Sequence, residues 1–91
     1  MKFSEQQLNL IEELAAVFLP VSDIASILDV EPFILKAEIR NADSDASRAY
    51  RRGKAQSKVA IRTQEMKLAQ IGSPLGIESV ARHLTEMELD E

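Results

Sequence analysis

The sequence predicts an all-α protein. An N-terminal tri-helical helix-turn-helix unit is followed by a long helix and a short C-terminal helix that together form a helical hairpin. Three observations carry this reading. Apolar residues recur at 3.6-residue spacing in segments separated by proline and polar turns. A stretch of 27 residues, Asp45 to Ile71, contains no proline and one glycine. Gly72-Ser73-Pro74 then supplies a glycine stop, a serine cap and a proline suited to a first helical position. Ninety-one residues allow only a small core, and the chain divides into residues 1–43, the helix-turn-helix unit, and residues 44–91, an oligomerisation hairpin.

Ser4 and Gln7 have the spacing of a capping box. Leu8, Ile11, Leu14, Ala15 and Phe18 come next on one face, so residues 5–18 read as an amphipathic helix ended by Pro20. Ser22 reads as the N-cap of a short helix over residues 23–28. Asp29-Val30-Glu31-Pro32 turns the chain, and Pro32 opens a third helix to Arg40 with Leu35 and Ile39 facing inward. The small Ala25 allows the second and third helices to approach. The turn position usually given to glycine is Asp29, which tolerates left-handed geometry better than most residues. Phe33, Lys36, Ala37 and Arg40 point outward, Phe33 reading most simply as packing on a neighbouring helix. Asn41 to Ser44 break the chain, and Asp43 or Ser44 caps the long helix.

The long segment is rich in Ala, Lys, Arg, Gln and Met, all strong helix formers. As one helix it would measure roughly 40 Å, against a diameter of about 32 Å for a compact chain of this length. It therefore protrudes or is covered. One stripe gathers Ala46, Ala49, Tyr50, Gly53, Ala60, Ile61, Leu68 and Ile71, interrupted by Ser57 and Gln64; Val59 and Met66 lie on the basic side. Small residues let helices approach closely, so Ala46, Ala49, Tyr50, Gly53, Val59, Ala60 and Met66 are the predicted oligomer interface. The last helix, Pro74 to Met87, carries Ile77, Val80, Ala81, Leu84 and Met87 on one face. It should fold back over Ile61, Leu68 and Ile71 and leave Ala46 to Gly53 for another subunit.

Charge is distributed unevenly. Seven of the eleven basic residues lie between Arg48 and Lys67 with one acid, Glu65, whereas the flanks are acidic and the net charge is −4. Arg48, Arg51, Arg52, Lys54, Lys58 and Arg62, with Lys36 and Arg40 assisting, are the candidate nucleic-acid contacts. The competing reading pairs this basic island with the acidic flanks, within the chain or between subunits.

Other chemistry finds few candidates. There is no cysteine, and His83 stands alone beside an apolar stripe. Gly53-Lys54 lacks the rest of a phosphate-binding loop. No tryptophan and one tyrosine leave few platforms for stacking bases. The reading is a protein without catalytic residues, metal site or cofactor. The longest apolar run, Leu14 to Leu19, is too short to cross a bilayer, and MKFSEQQ lacks the apolar core of a signal peptide. No membrane association and a cytoplasmic location are expected.

The order of these parts, with D-V-E-P-F-I-L, A-Y-R-R-G-K-A and Q-E-M-K-L-A-Q-I-G-S-P-L-G-I-E-S-V-A-R-H-L, resembles the small terminase subunits of tailed bacteriophages and related prophage helix-turn-helix proteins. The matching residues are Tyr50, Gly53, Ala55, Leu68, Ala69, Gly72, Ser73 and Pro74, within a resemblance spanning roughly residues 21–85. It implies assembly through the central helices, recognition of phage DNA by the helix-turn-helix to start packaging, and delivery to an ATP-hydrolysing large terminase subunit in the cytoplasm of a bacterial host. Two departures stand out: the third helix is weakly basic, and T-E-M-E-L-D-E comes after Leu84 where aromatic and lysine residues are common in that family. The alternative is a helical adaptor or transcriptional-regulator-like protein that uses the helix-turn-helix unit for protein contacts.

Overall fold

A computed structural model describes residues 1–91. The chain is all-helical, with α1 (Glu5–Ala16), α2 (Val21–Leu28), α3 (Pro32–Arg40), α4 (Asp45–Gln70) and α5 (Pro74–Leu89). No helix is long and apolar enough to cross a membrane.

Local chemistry accounts for the helix ends. The Ser4 hydroxyl accepts from the Gln7 N–H and the Gln7 side-chain oxygen accepts from the Ser4 N–H, which satisfies two otherwise free donors of α1. The α1 helix stops two residues before the apolar period does, because Phe18 adopts a left-handed φ of 59°. Its N–H donates to the Ala15 carbonyl and that of Leu19 to Leu14. This is a Schellman turn. Asp29 (φ 58°) and Gly72 (φ 90°) end α2 and α4 in the same way, with Val30 donating to Ala25 and Ser73 to Leu68. At the second and third helices' turn, aspartate thus fills the left-handed position. The α2 helix begins at Val21, two residues earlier than a Ser22 cap implies, because Pro20 occupies the cap position. Ser44, by contrast, caps α4: its hydroxyl accepts from the Ser47 N–H and donates to the Glu38 carbonyl.

Two compact units divide the chain, residues 1–57 and 58–91. The boundary expected after Asp43 lies instead inside α4. The cause is visible in the core of the first unit, where Phe3, Ile11, Ile24, Ala25 and Leu35 pack with Ala46 and Ala49 of α4. Leu8, Leu14, Leu28, Val30, Ile39 and Tyr50 close its edges. Gly53 is buried too, and a Cβ placed on it would lie 2.1 Å from the Glu12 carbonyl oxygen and 3.1 Å from the Ala15 Cβ. The α1 and α4 backbones therefore touch. Ser57, one of the polar interruptions of the stripe, donates its hydroxyl to the Ala16 carbonyl at the end of α1. That carbonyl belongs to the last turn, where intrahelical donors run out. The stripe Ala46, Ala49, Tyr50 and Gly53, expected to meet another subunit, is thus taken up by the core of the chain's own first unit, with Gly53 directly against α1.

The second unit is an antiparallel hairpin of the C-terminal part of α4 against α5. Gly76 sits against Leu68 and Ala69, His83 against Glu65, and Glu86 against Arg62. Gly76 is its one buried residue. Val59, Ile61, Met66, Leu68, Ile77, Leu84 and Met87 all remain at least 46% exposed. The α5 helix covers Ile61, Leu68 and Ile71 less fully than the apolar periodicity implies, because two helices alone can shield only the seam between them.

The contact at Gly53 sets a clear expectation. Alanine gains about 1 kcal/mol of helix propensity there, but its methyl meets backbone that has nowhere to go, and overpacking of this kind typically costs about 1–3 kcal/mol. Gly53→Ala should therefore lower the unfolding midpoint in denaturant. Gly72→Ala should also destabilise, by about 1–2 kcal/mol, although nothing lies within 4 Å of its Cβ position, because the left-handed φ alone carries that cost. A Gly53→Ala chain as stable as the parent would show that the two helices are not in backbone contact.

Candidate nucleic-acid interface

The helix-turn-helix places α3 with Leu35 fully buried and the opposite side open. Phe33 is 69% exposed, and Lys36, Ala37 and Arg40 are exposed with it. Phe33 does not pack on a neighbouring helix of this chain, contrary to the simplest reading of the sequence. The turn ahead of α3 is less favourable to a phosphate backbone, since Asp29 and Glu31 are both exposed there. Glu38, by contrast, is held away from the open face: its carboxylate accepts from the Met1 amino group at 2.7 Å.

The basic residues of α4 are not all free. Arg48 pairs with Asp45 and also donates to the Asp43 carbonyl. Arg52 pairs with Glu12 of α1 at 3.1 Å, and in the second unit Arg62 pairs with Glu86 of α5 at 3.0 Å. Arg51 donates to the Ala42 and Ser47 carbonyls and meets no carboxylate. The Lys54 ammonium stands 5.2 Å from the centre of the Tyr50 ring, within the range of a cation–π contact. Lys36, Arg40, Lys54 and Lys58 form no ion pair.

The basic island is thus partly matched by the acidic flanks within one chain. The pairs are exposed, and exposed ion pairs contribute about 0–1 kcal/mol. Phosphate oxygens offer the same guanidinium groups comparable partners, with counterion release in addition. The pairs therefore tie up Arg48, Arg52 and Arg62 only weakly. What they do reduce is the local field: residues 1–57 carry seven basic and nine acidic side chains, so the exposed cations act at short range and not as a long-range attractor.

His83 acquires a role that spacing alone does not reveal. Its Nε2 lies 2.9 Å from a Glu65 oxygen, and a carboxylate only accepts, so Nε2 carries the hydrogen. Its Nδ1 is buried without a partner, 4.0 Å from Glu86. The His83 N–H, followed by the Ser79 hydroxyl, holds the Glu65 carboxyl below the usual range for glutamate. No group of three or more His, Cys, Asp or Glu side chains is placed to hold a metal ion. Val59, Ala60 and Met66, predicted at an oligomer interface, are exposed in the single chain. Met66 also lines a groove of about 450 Å³ with Arg62, Val80, His83, Leu84 and Met87. No protein-family model, curated protein or solved structure matches the chain.

A carboxyl whose pKa is lowered by folding adds stability above its unfolded value and loses it as pH falls through the folded one. The Glu65 contribution is therefore complete at neutral pH, begins to fall near the ordinary glutamate range and is lost as pH drops through the lower folded value. Denaturation followed between pH 7 and pH 3 should find the parent more stable than Glu65→Gln at the upper end, with the gap narrowing towards the lower end. A gap that stays constant across the range would mean that the Glu65 charge is not what His83 stabilises.

Proposed function

We propose that this chain is a self-associating DNA-binding protein of the small-terminase type, which recognises phage DNA to start packaging and is not itself an enzyme. The observation that carries the DNA part is the helix–turn–helix geometry: Asp29 makes the left-handed turn, Leu35 anchors α3 in the core, and Phe33, Lys36, Ala37 and Arg40 are left on an open face. The sequence resemblance to small terminase subunits adds the packaging role, a large terminase subunit as partner and the cytoplasm of a bacterial host as the place. Self-association is supported by the second unit. A two-helix hairpin with no buried apolar side chain is too small to be stable by itself. The exposed Val59, Ala60 and Met66 are the residues proposed to meet another copy.

Affinity in this reading comes mainly from phosphate contacts by Lys36, Arg40, Arg48, Arg51, Arg52, Lys54, Lys58 and Arg62. Binding should then weaken steeply with salt, and removing four of the residues without ion pairs, Lys36, Arg40, Lys54 and Lys58, should flatten the salt slope by up to about 0.9 per residue. Releasing paired arginines should act in the other direction. Glu12→Gln and Glu86→Gln free Arg52 and Arg62 and should tighten binding at low salt. Affinity that ignores both salt and these substitutions would remove the phosphate mechanism.

A second reading, a helical adaptor or regulator, draws on Asp29 and Glu31 at the turn and on the acidic balance of residues 1–57. It expects a stable oligomer that retains no DNA at any salt. Light scattering and a gel shift on one sample separate the two, and a monomer at working concentration would count against the assembly proposed in the first.

A further inference from the structure

We infer that the open face of α3 reads the methyl groups of thymine, with Phe33 and Ala37 as the specificity-determining residues. The inference rests on the DNA-binding reading above and adds the chemical identity of what is read. Positions 33, 36, 37 and 40 recur at i, i+3, i+4 and i+7 and so share one stripe. At 1.5 Å per residue the stripe is roughly 10 Å long, which matches about three base-pair steps.

The chemistry of this stripe is unusually restricted. It offers two apolar groups and two cations, and no carboxylate or amide. Adenine is usually recognised by the paired donor and acceptor of Asn or Gln, and the cytosine amino group needs an acceptor. Neither is present on the stripe, because Glu38 is occupied by the Met1 amino group and Glu31 precedes the helix. The two remaining major-groove features are the acceptor pair of guanine, which suits Lys36 and Arg40, and the thymine methyl, the one apolar group a base edge exposes there. A phenylalanine left 69% exposed on a groove-facing helix has the thymine methyl as its natural partner. The weak basicity of α3 fits the same picture: its affinity is drawn partly from apolar contact, and α4 supplies the phosphate contacts.

Replacing thymine by deoxyuridine deletes this methyl and leaves every hydrogen-bonding group of the base unchanged. Duplexes enriched by the full-length protein from a random-sequence pool should contain a run of about three to four base pairs dominated by thymine and guanine. Resynthesis of the best duplex with deoxyuridine at single positions should weaken binding about fourfold for each contacted methyl. Phe33→Ala, at an exposed position that leaves the core intact, should lose most of the discrimination at the position Phe33 reads and keep that at the position Ala37 reads, and circular dichroism checks that it remains folded. Equal binding of the two duplexes by the parent would overturn the methyl inference while leaving DNA binding in place. So would a Phe33→Ala protein whose discrimination is unchanged at every position. Loss of oligomer mass in Phe33→Ala with DNA affinity intact would overturn it as well, by assigning the residue to a protein contact. No enrichment and no retention of any duplex would overturn both this inference and the proposed DNA-binding function.

Discussion

The backbone contact between α1 and α4 at Gly53 governs the first unit. Where any other residue would place a carbon 2.1 Å from the Glu12 carbonyl oxygen, glycine lets the two helices meet. Glu12 is used twice, its carbonyl against Gly53 and its carboxylate on Arg52. Ser57 fastens the next turn to the end of α1. The close approach brings Ala46 and Ala49 into the core with Ile11, Ile24 and Leu35. Small side chains in α4 are a requirement of this crossing, since larger ones would push the helices apart and open the apolar centre. The tri-helical unit consequently has a fourth wall, and α3 is left with its outer face free for other work.

The second unit obeys the same steric rule at Gly76 but lacks the depth that would make it stable alone. A Cβ on Gly76 would lie 2.7 Å from Leu68 Cβ and from the Ala69 nitrogen, so α5 approaches α4 as closely as glycine permits. Two helices present one seam, and everything beyond it faces water. The polar contacts between Glu65 and His83 and between Arg62 and Glu86 set the register of the seam. Ion pairs at such exposure add little to stability. Apolar side chains left open on this scale are what assembly surfaces are made of.

Electrostatics is a consequence of the packing. The basic island and its acidic flanks lie far apart in the chain yet meet in pairs, Arg52 with Glu12 and Arg62 with Glu86. Pairing lowers the net field without consuming the cations, because an exposed pair is held by no more than about 1 kcal/mol. A protein built this way would approach DNA without strong steering and exchange carboxylate for phosphate only on contact. Recognition would then depend on the shape and chemistry of α3 more than on attraction at a distance.

The sequence by itself determined the helices: their number, the capping box and glycine stop, the place of Asp29 in the turn and the outward stripe of α3. Each of these depends on residues within about five positions of one another, where propensity, capping and periodicity act directly. The early end of α1 is the exception, since Phe18 takes a left-handed conformation that its side chain does not favour. Phe33 belonged to an outward stripe in the sequence, and only its fractional exposure separated a free face from a packed one. Tertiary structure alone decided which partner each surface meets. Gly53 and Glu12, Arg52 and Glu12, and Ser57 and Ala16 are separated by about forty residues. A stripe of small residues is equally suited to a helix of the same chain or of another copy. The choice of α1 over a second subunit came from the geometry that closes the core, and no periodicity within α4 encodes that.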